Sequence, residues 1–165
     1  MRLPRHRLST AALVSLPLVL LGSTAAHAAT SRSYDPRGDA PASADVTSYT
    51  ITNGQTALRL KAKVANLSKH TDITMYVNPS GAGHYELRTS PVGKGDLVFA
   101  RGSSDTPVHC TWSVHRHAGD RSTMVVHLSQ TCFGDRAGNA WVDFIMWQAG
   151  GQGADNVTRS YVPRG

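Results

Sequence analysis

The feature that most limits the fold of this chain is a strict two-residue alternation. From Ala57 to Val64, the apolar residues Leu58, Leu60, Ala62 and Val64 alternate with Arg59, Lys61 and Lys63. Successive side chains of a strand point to opposite faces, so the pattern describes a strand with one buried and one solvated face. It follows Val46 to Thr52 across Asn53-Gly54, the strongest short hairpin signal. Ile73, Met75 and Val77 alternate in the same way with Asp72, Thr74 and Tyr76. Turn-rich stretches at 79–83 and 91–96 set off two further strands, 84–89 and 97–101. Trp141 to Gln148 is apolar on both faces, as a central strand is. Residues 156–162 read as a last edge strand after the glycine-rich loop 149–154. No segment carries a 3.6-residue period. About eight short strands joined by Gly, Pro and Asn turns predict an all-β fold, an antiparallel β-sandwich in one domain over 46–165, with 29–45 as an irregular leader.

The hairpin between 108 and 129 permits a finer expectation. Val108, Cys110, Trp112 and Val114 share one face; Met124, Val126 and Leu128 share another. A one-residue slip would turn one of these faces to solvent, so even positions must oppose even ones. A three-residue turn, Ala118-Gly119-Asp120, achieves this by pairing Val114 with Met124, Trp112 with Val126 and Cys110 with Leu128. An extended chain would then carry Cys132 about 13 Å past Cys110. Bridged cysteines need Cα atoms within about 7 Å. The chain therefore has to fold back after Ser129, with Cys132 in a turn or short helix that caps the core. Trp112 is expected in the core beside it.

These are the only two cysteines, and a Cys110–Cys132 disulfide is expected because the N-terminus reads as an export signal. Arg2, Arg5 and Arg7 precede an apolar run, Ala11 to Leu21, that is too short to span a bilayer. Ala26-His27-Ala28 fits a signal-peptidase site, so residues 1–28 are expected to be removed and the mature chain secreted, extracellular and free of a membrane span. The segment contains three of the 17 basic residues and none of the 11 acidic ones, leaving 14 against 11. The high overall isoelectric point is thus partly a property of the signal. The remaining basic residues look scattered along the chain, which argues against a nucleic-acid partner. Lys61, Lys63 and Lys69 read as a solvated sheet face. A monomer is expected.

Several short motifs occur together: Asp35-Pro36-Arg37-Gly38-Asp39, Asp45-Val46, Val64-Ala65-Asn66-Leu67, Thr131-Cys132-Phe133-Gly134 ahead of a Trp-containing strand, and the closing Val162-Pro163-Arg164-Gly165. In these the chain resembles a group of small exported actinobacterial β-sandwich proteins, mostly uncharacterised. The resemblance implies a β-sandwich and carries no activity with it.

Two sets of residues are candidates for function. Asp35, Asp39 and Asp45 fall within eleven residues around Gly38 and are candidate calcium ligands, since calcium takes carboxylate, carbonyl and water oxygens. Their alternative role is in turns, accepting local backbone N–H bonds. Trp141, Asp143 and Trp147 share one face of the 141–148 strand. If open, that face is a sugar-stacking platform beside a carboxylate; if closed, it is core. His109 and His127 are expected as diagonal neighbours on the outer hairpin face. No nucleophile elbow, zinc-protease helix, phosphate loop or dinucleotide fingerprint is present, and Glu86 is the only glutamate. The leading expectation is a secreted, non-catalytic module binding an extracellular glycan or protein, with calcium as an optional cofactor. A small secreted hydrolase is the first alternative. The second is a protein-interaction or inhibitor protein acting through loop 149–156 or 79–83.

Overall fold

The computed structural model describes residues 28–90, 93–101, 104–119, 122–134, 138–148 and 153–165. The segment expected to act as an export signal, apart from Ala28, and loop residues 149–152 lie outside the described residues. Eleven strands form among the described residues, where about eight were expected: β1 (Ala29–Tyr34), β2 (Val46–Asn53), β3 (Ala57–Val64), β4 (Asp72–Pro79), β5 (His84–Ser90), β6 (Gly93–Arg101), β7 (Ser104–Pro107), β8 (Trp112–His117), β9 (Thr123–Ser129), β10 (Ala140–Trp147) and β11 (Ala154–Val162). Among the described residues no helix is long and apolar enough to cross a membrane.

The strands make two antiparallel sheets, β1-β2-β3-β9-β8 and β11-β10-β4-β5-β6-β7. The predicted β-sandwich is therefore the observed fold. The alternation in β3 holds residue by residue: Leu58, Leu60, Ala62 and Val64 are buried, while Arg59, Lys61 and Lys63 are exposed. Ile73, Met75 and Val77 of β4 and Val142, Phe144 and Met146 of β10 supply the facing half of the core. Tyr49 and Phe144 meet edge-on across the gap, with centroids 5.3 Å apart. As expected, β10 is hydrogen-bonded on both sides, between β4 and the edge strand β11.

Three expectations need correction. The first six residues of the supposed irregular leader are β1, paired along its whole length with β2. The Asn53-Gly54 turn is wider than a two-residue hairpin: Asn53 pairs with Leu58, and Gly54 N–H donates to Ala57 O. Asn53 is there for another reason. It is buried, its Nδ2 donates to Gly138 O and Val162 O, and its Oδ1 accepts from Gln130 Nε2. Buried amides need such partners, and here they tie the two sheets together.

The third correction concerns the β8–β9 hairpin. Trp112 pairs with Leu128, Val114 with Val126 and His117 with Thr123. The register is displaced by two residues from the one expected, and Asp120 of the expected turn lies outside the described residues. A two-residue slip preserves which face each side chain takes, so polarity alone cannot choose between the registers. Partners in the turn favour the observed one: Ser122 is buried, its hydroxyl donates to Gly119 O, and its carbonyl accepts Val64 N–H. The slip carries Cys110 beyond the end of β9, where Ser129 and the 3₁₀ turn Gln130–Phe133 fold back. Cys110 and Cys132 are bridged there, with Cα atoms 5.2 Å apart. The bond closes the point where the chain crosses from one sheet to the other.

Candidate functional site

The outer face of the six-stranded sheet carries the predicted trio Trp141, Asp143 and Trp147 at alternate positions of β10, with Ile145 between them. This face is open rather than core. Trp141 is 42% exposed and Tyr161, its cross-strand partner in β11, 43%. Their rings are tilted, with centroids 5.0 Å apart. The Arg159 guanidinium lies 5.1 Å from the centroid of Trp141. It also reaches Asp143, with Nε 3.9 Å from Oδ2. Trp147 is not part of this cluster. It stands six residues away, about 20 Å along the strand, half-buried, with Nε1–H donating to Thr74 Oγ1.

A β-bulge builds the cluster. Val142 pairs with Ser160 but Phe144 pairs with Val157, so Thr158 and Arg159 together oppose Asp143. A bulge re-aims the side chains that follow it. In β11, Asp155 and Val157 point inward before the bulge; Ser160 and Val162 point inward after it. Without this change of parity, Tyr161 would face the core. The buried Ser160 takes the Tyr49 hydroxyl at 2.8 Å, which fixes the strand from beneath.

Beyond Asp143, Tyr76 of β4 stacks on His84 of β5, with centroids 5.8 Å apart and planes 18° from parallel. The His84 imidazole also hydrogen-bonds Asn78 Oδ1. Asp143 has its carboxyl raised by burial, a shift that Arg159 and His84 oppose.

The acidic residues near the N-terminus meet at a corner between the sheets, in a combination different from the one expected. Single oxygens of Asp35, Asp39 and Asp155 all lie within 4.8 Å of one another. Asp45 is outside that group. It is 95% buried, as only 5% of it is exposed, and its Oδ2 accepts Gly38 N–H at 3.1 Å while Oδ1 has no donor. Gly38, at φ +83°, makes the tight turn that allows this bond. Asp155 is held by Val46 N–H, 2.7 Å from its Oδ2. Gly153, two residues before it, lies close against Pro41: at its φ of +147° a Cβ would fall 2.5 Å from Pro41 Cγ.

Burial, reinforced by the charges of Asp155 and Asp39, pushes the Asp35 carboxyl up to about 6. Burial also raises Asp155, while Val46 N–H opposes the shift. Asp35 Oδ2 is buried and has no hydrogen-bond partner among the described residues. These three oxygens, from the half-buried Asp35, the exposed Asp39 and the buried Asp155, could hold a hard cation that takes its other ligands from carbonyls and water.

Sequence reasoning missed Tyr161, Arg159 and Asp155, which all lie on β11. The one available signal was the parity change between Val157 and Ser160, which reads as a bulge only once the partner strand is known. The histidine pairing was also displaced: His127 opposes Ser113 and Arg59. Compared with known proteins, the chain matches no family model, no curated protein and no solved structure.

Proposed function

We propose that this protein is an exported, non-catalytic binding module, of the small actinobacterial β-sandwich kind, that takes a neutral glycan on the outer face of its six-stranded sheet. The observation that carries the reading is the exposed Trp141–Tyr161 pair with Arg159 and Asp143 beside it. Aromatic rings present apolar faces to the C–H face of a sugar, and the flanking charged groups bond its hydroxyls. A flat, open sheet favours holding a polymer over enclosing a small substrate. Calcium at Asp35, Asp39 and Asp155 stabilises the module by tying the loop after β1 to the start of β11.

The test is affinity electrophoresis in gels containing neutral β-glucan, xylan or soluble chitin derivatives. Binding by the wild type should fall at least about tenfold in Trp141→Ala, a loss of roughly 1.4 kcal/mol, with an unchanged melting temperature. Failure to bind any of these polymers, or equal binding by the variant, overturns the glycan reading. Calcium is tested separately. Extracellular calcium modules bind at about 0.1–1 mM, and tenfold excess over the dissociation constant should raise the melting temperature by roughly 5 °C. No rise, or an equal rise in Asp39→Asn, removes calcium from the model of function.

A further inference from the structure

The geometry points to a second binding surface on the opposite side of the molecule, the outer face of the five-stranded sheet, with an acidic polysaccharide as its partner. Arg32 of β1 and Lys61 of β3 flank Thr50 in one cross-strand row. Lys63 and Arg59 occupy the rows on either side. Strands lie about 4.8 Å apart and alternate residues about 7 Å apart, so these four cations fall within one small patch. Arg37, from the loop after β1, joins them: it lines a groove of about 520 Å³ with Lys61 and Lys63. A second groove, about 150 Å³, runs from the same two lysines toward Arg32 and Tyr34.

None of these five cations makes an ion pair among the described residues. No carboxylate occupies the cross-strand rows of this face. Gathering like charges on a sheet costs stability, and an anionic partner relieves that cost. Charge complementarity therefore fixes the sign of the partner, and the other side chains narrow its class. Ser48, Thr50 and Thr123 interleave hydroxyls with the cations, and Tyr34, 78% exposed, offers one ring at the edge. Hydroxyls, a single ring and spaced cations suit a chain of acidic sugars. Single-stranded nucleic acid calls for a succession of stacking rings, and on this face β1, β2 and β3, which carry the cations, have one, Tyr34.

Heparin is the probe, with polygalacturonate as its carboxylated counterpart and dextran as the uncharged control, all in about 150 mM salt. The wild type should bind both anionic polymers and not dextran. Lys61→Glu should weaken binding about tenfold, whereas Lys69→Glu, an identical charge change in an exposed turn outside the patch, should change it less than about twofold. Lys61→Gln, which keeps the exposed position polar, should give an intermediate loss while remaining folded, with a melting temperature at this salt no lower than that of the wild type. Equal losses from Lys61→Glu and Lys69→Glu would reduce the effect to net charge and overturn the proposal. Tighter binding to duplex DNA or to phosphatidylglycerol vesicles would overturn the choice of partner. Trp141→Ala should leave heparin binding intact; if it does not, the polyanion sits on the aromatic face and this inference fails, whatever becomes of the neutral-glycan reading.

Discussion

On the outer face of the six-stranded sheet, Arg88 reaches Glu86 at 2.6 Å and Asp105 at 3.0 Å, and Arg159 reaches Asp143 at 3.9 Å. On the five-stranded sheet, Arg32, Arg59, Lys61 and Lys63 stand in neighbouring rows without a carboxylate among them. Both faces cover the same core and come from strands with the same alternation. They differ in what the outward positions carry: one face neutralises its own charges around a cluster of aromatic rings, and the other leaves its charges for something else to neutralise. Net charge is a poor guide to such a molecule, because the modest excess of basic residues is concentrated on one side.

The largest expected effect tests whether the two faces stand on one core. Phe144 is 1% exposed beneath the aromatic face and touches Tyr49 of the other sheet. Phe144→Ala should destabilise the fold by about 3–5 kcal/mol in denaturant titrations. If the sheets are one cooperative unit, tryptophan fluorescence and far-ultraviolet circular dichroism will report a single shared transition. Two separated transitions would mean that the faces rest on independently stable layers.

A smaller effect should sharpen the contrast in charge. Arg88→Gln leaves the buried Glu86 carboxylate without its guanidinium and should cost about 1 kcal/mol. Lys61→Gln should do the opposite, stabilising by about 0.5 kcal/mol at low salt through relief of like-charge repulsion. That gain should disappear as salt screens the patch. Thermal unfolding of both variants at two ionic strengths gives the comparison, and a destabilised Lys61→Gln would show that the basic face is not self-repelling.

The smallest effect concerns the corner where the sheets meet. Asp35 has its carboxyl raised to about 6. A raised carboxyl pKa favours the folded state fully at pH below about 3.8, and that contribution is lost as pH rises through 6. In chelator, Asp35→Asn should therefore melt roughly 2–4 °C above the wild type at pH 7.5. The advantage should vanish near pH 3.5, where both the folded and unfolded wild-type carboxyls are protonated. The same variant should respond less to calcium than the wild type, because it lacks one ligand charge. A pH-independent gain would trace the effect to something other than the ionisation of Asp35.

Much of this could be read from the residues alone. Alternation in 57–64 and 73–77 identified which side chains are buried, because a strand offers only two directions and water separates them. The two cysteines, with the need to fold back after Ser129, indicated the bridge and a turn or short helix at Cys132, which is the 3₁₀ turn Gln130–Phe133. Polarity was silent wherever two arrangements bury the same side chains. The β8–β9 hairpin is such a case, since its two-residue displacement changes every partner and no face.

The candidate sites were legible only in part. Asp35 and Asp39 were visible as a local cluster, but their third partner is Asp155, more than a hundred residues along the chain. Trp141 and Asp143 were visible on one strand, whereas Tyr161 and Arg159 come to them through a bulge in its neighbour. The lysines of β3 read as an ordinary solvated face, and the basic residues looked dispersed, because Arg32, Arg37 and Lys61 are far apart in sequence. Alternation by itself determined the two-layered sandwich, as local water exposure dictates it. Which charges and rings stand side by side was decided by strand order, register and one bulge, because these set distances between segments that the linear chain does not encode locally.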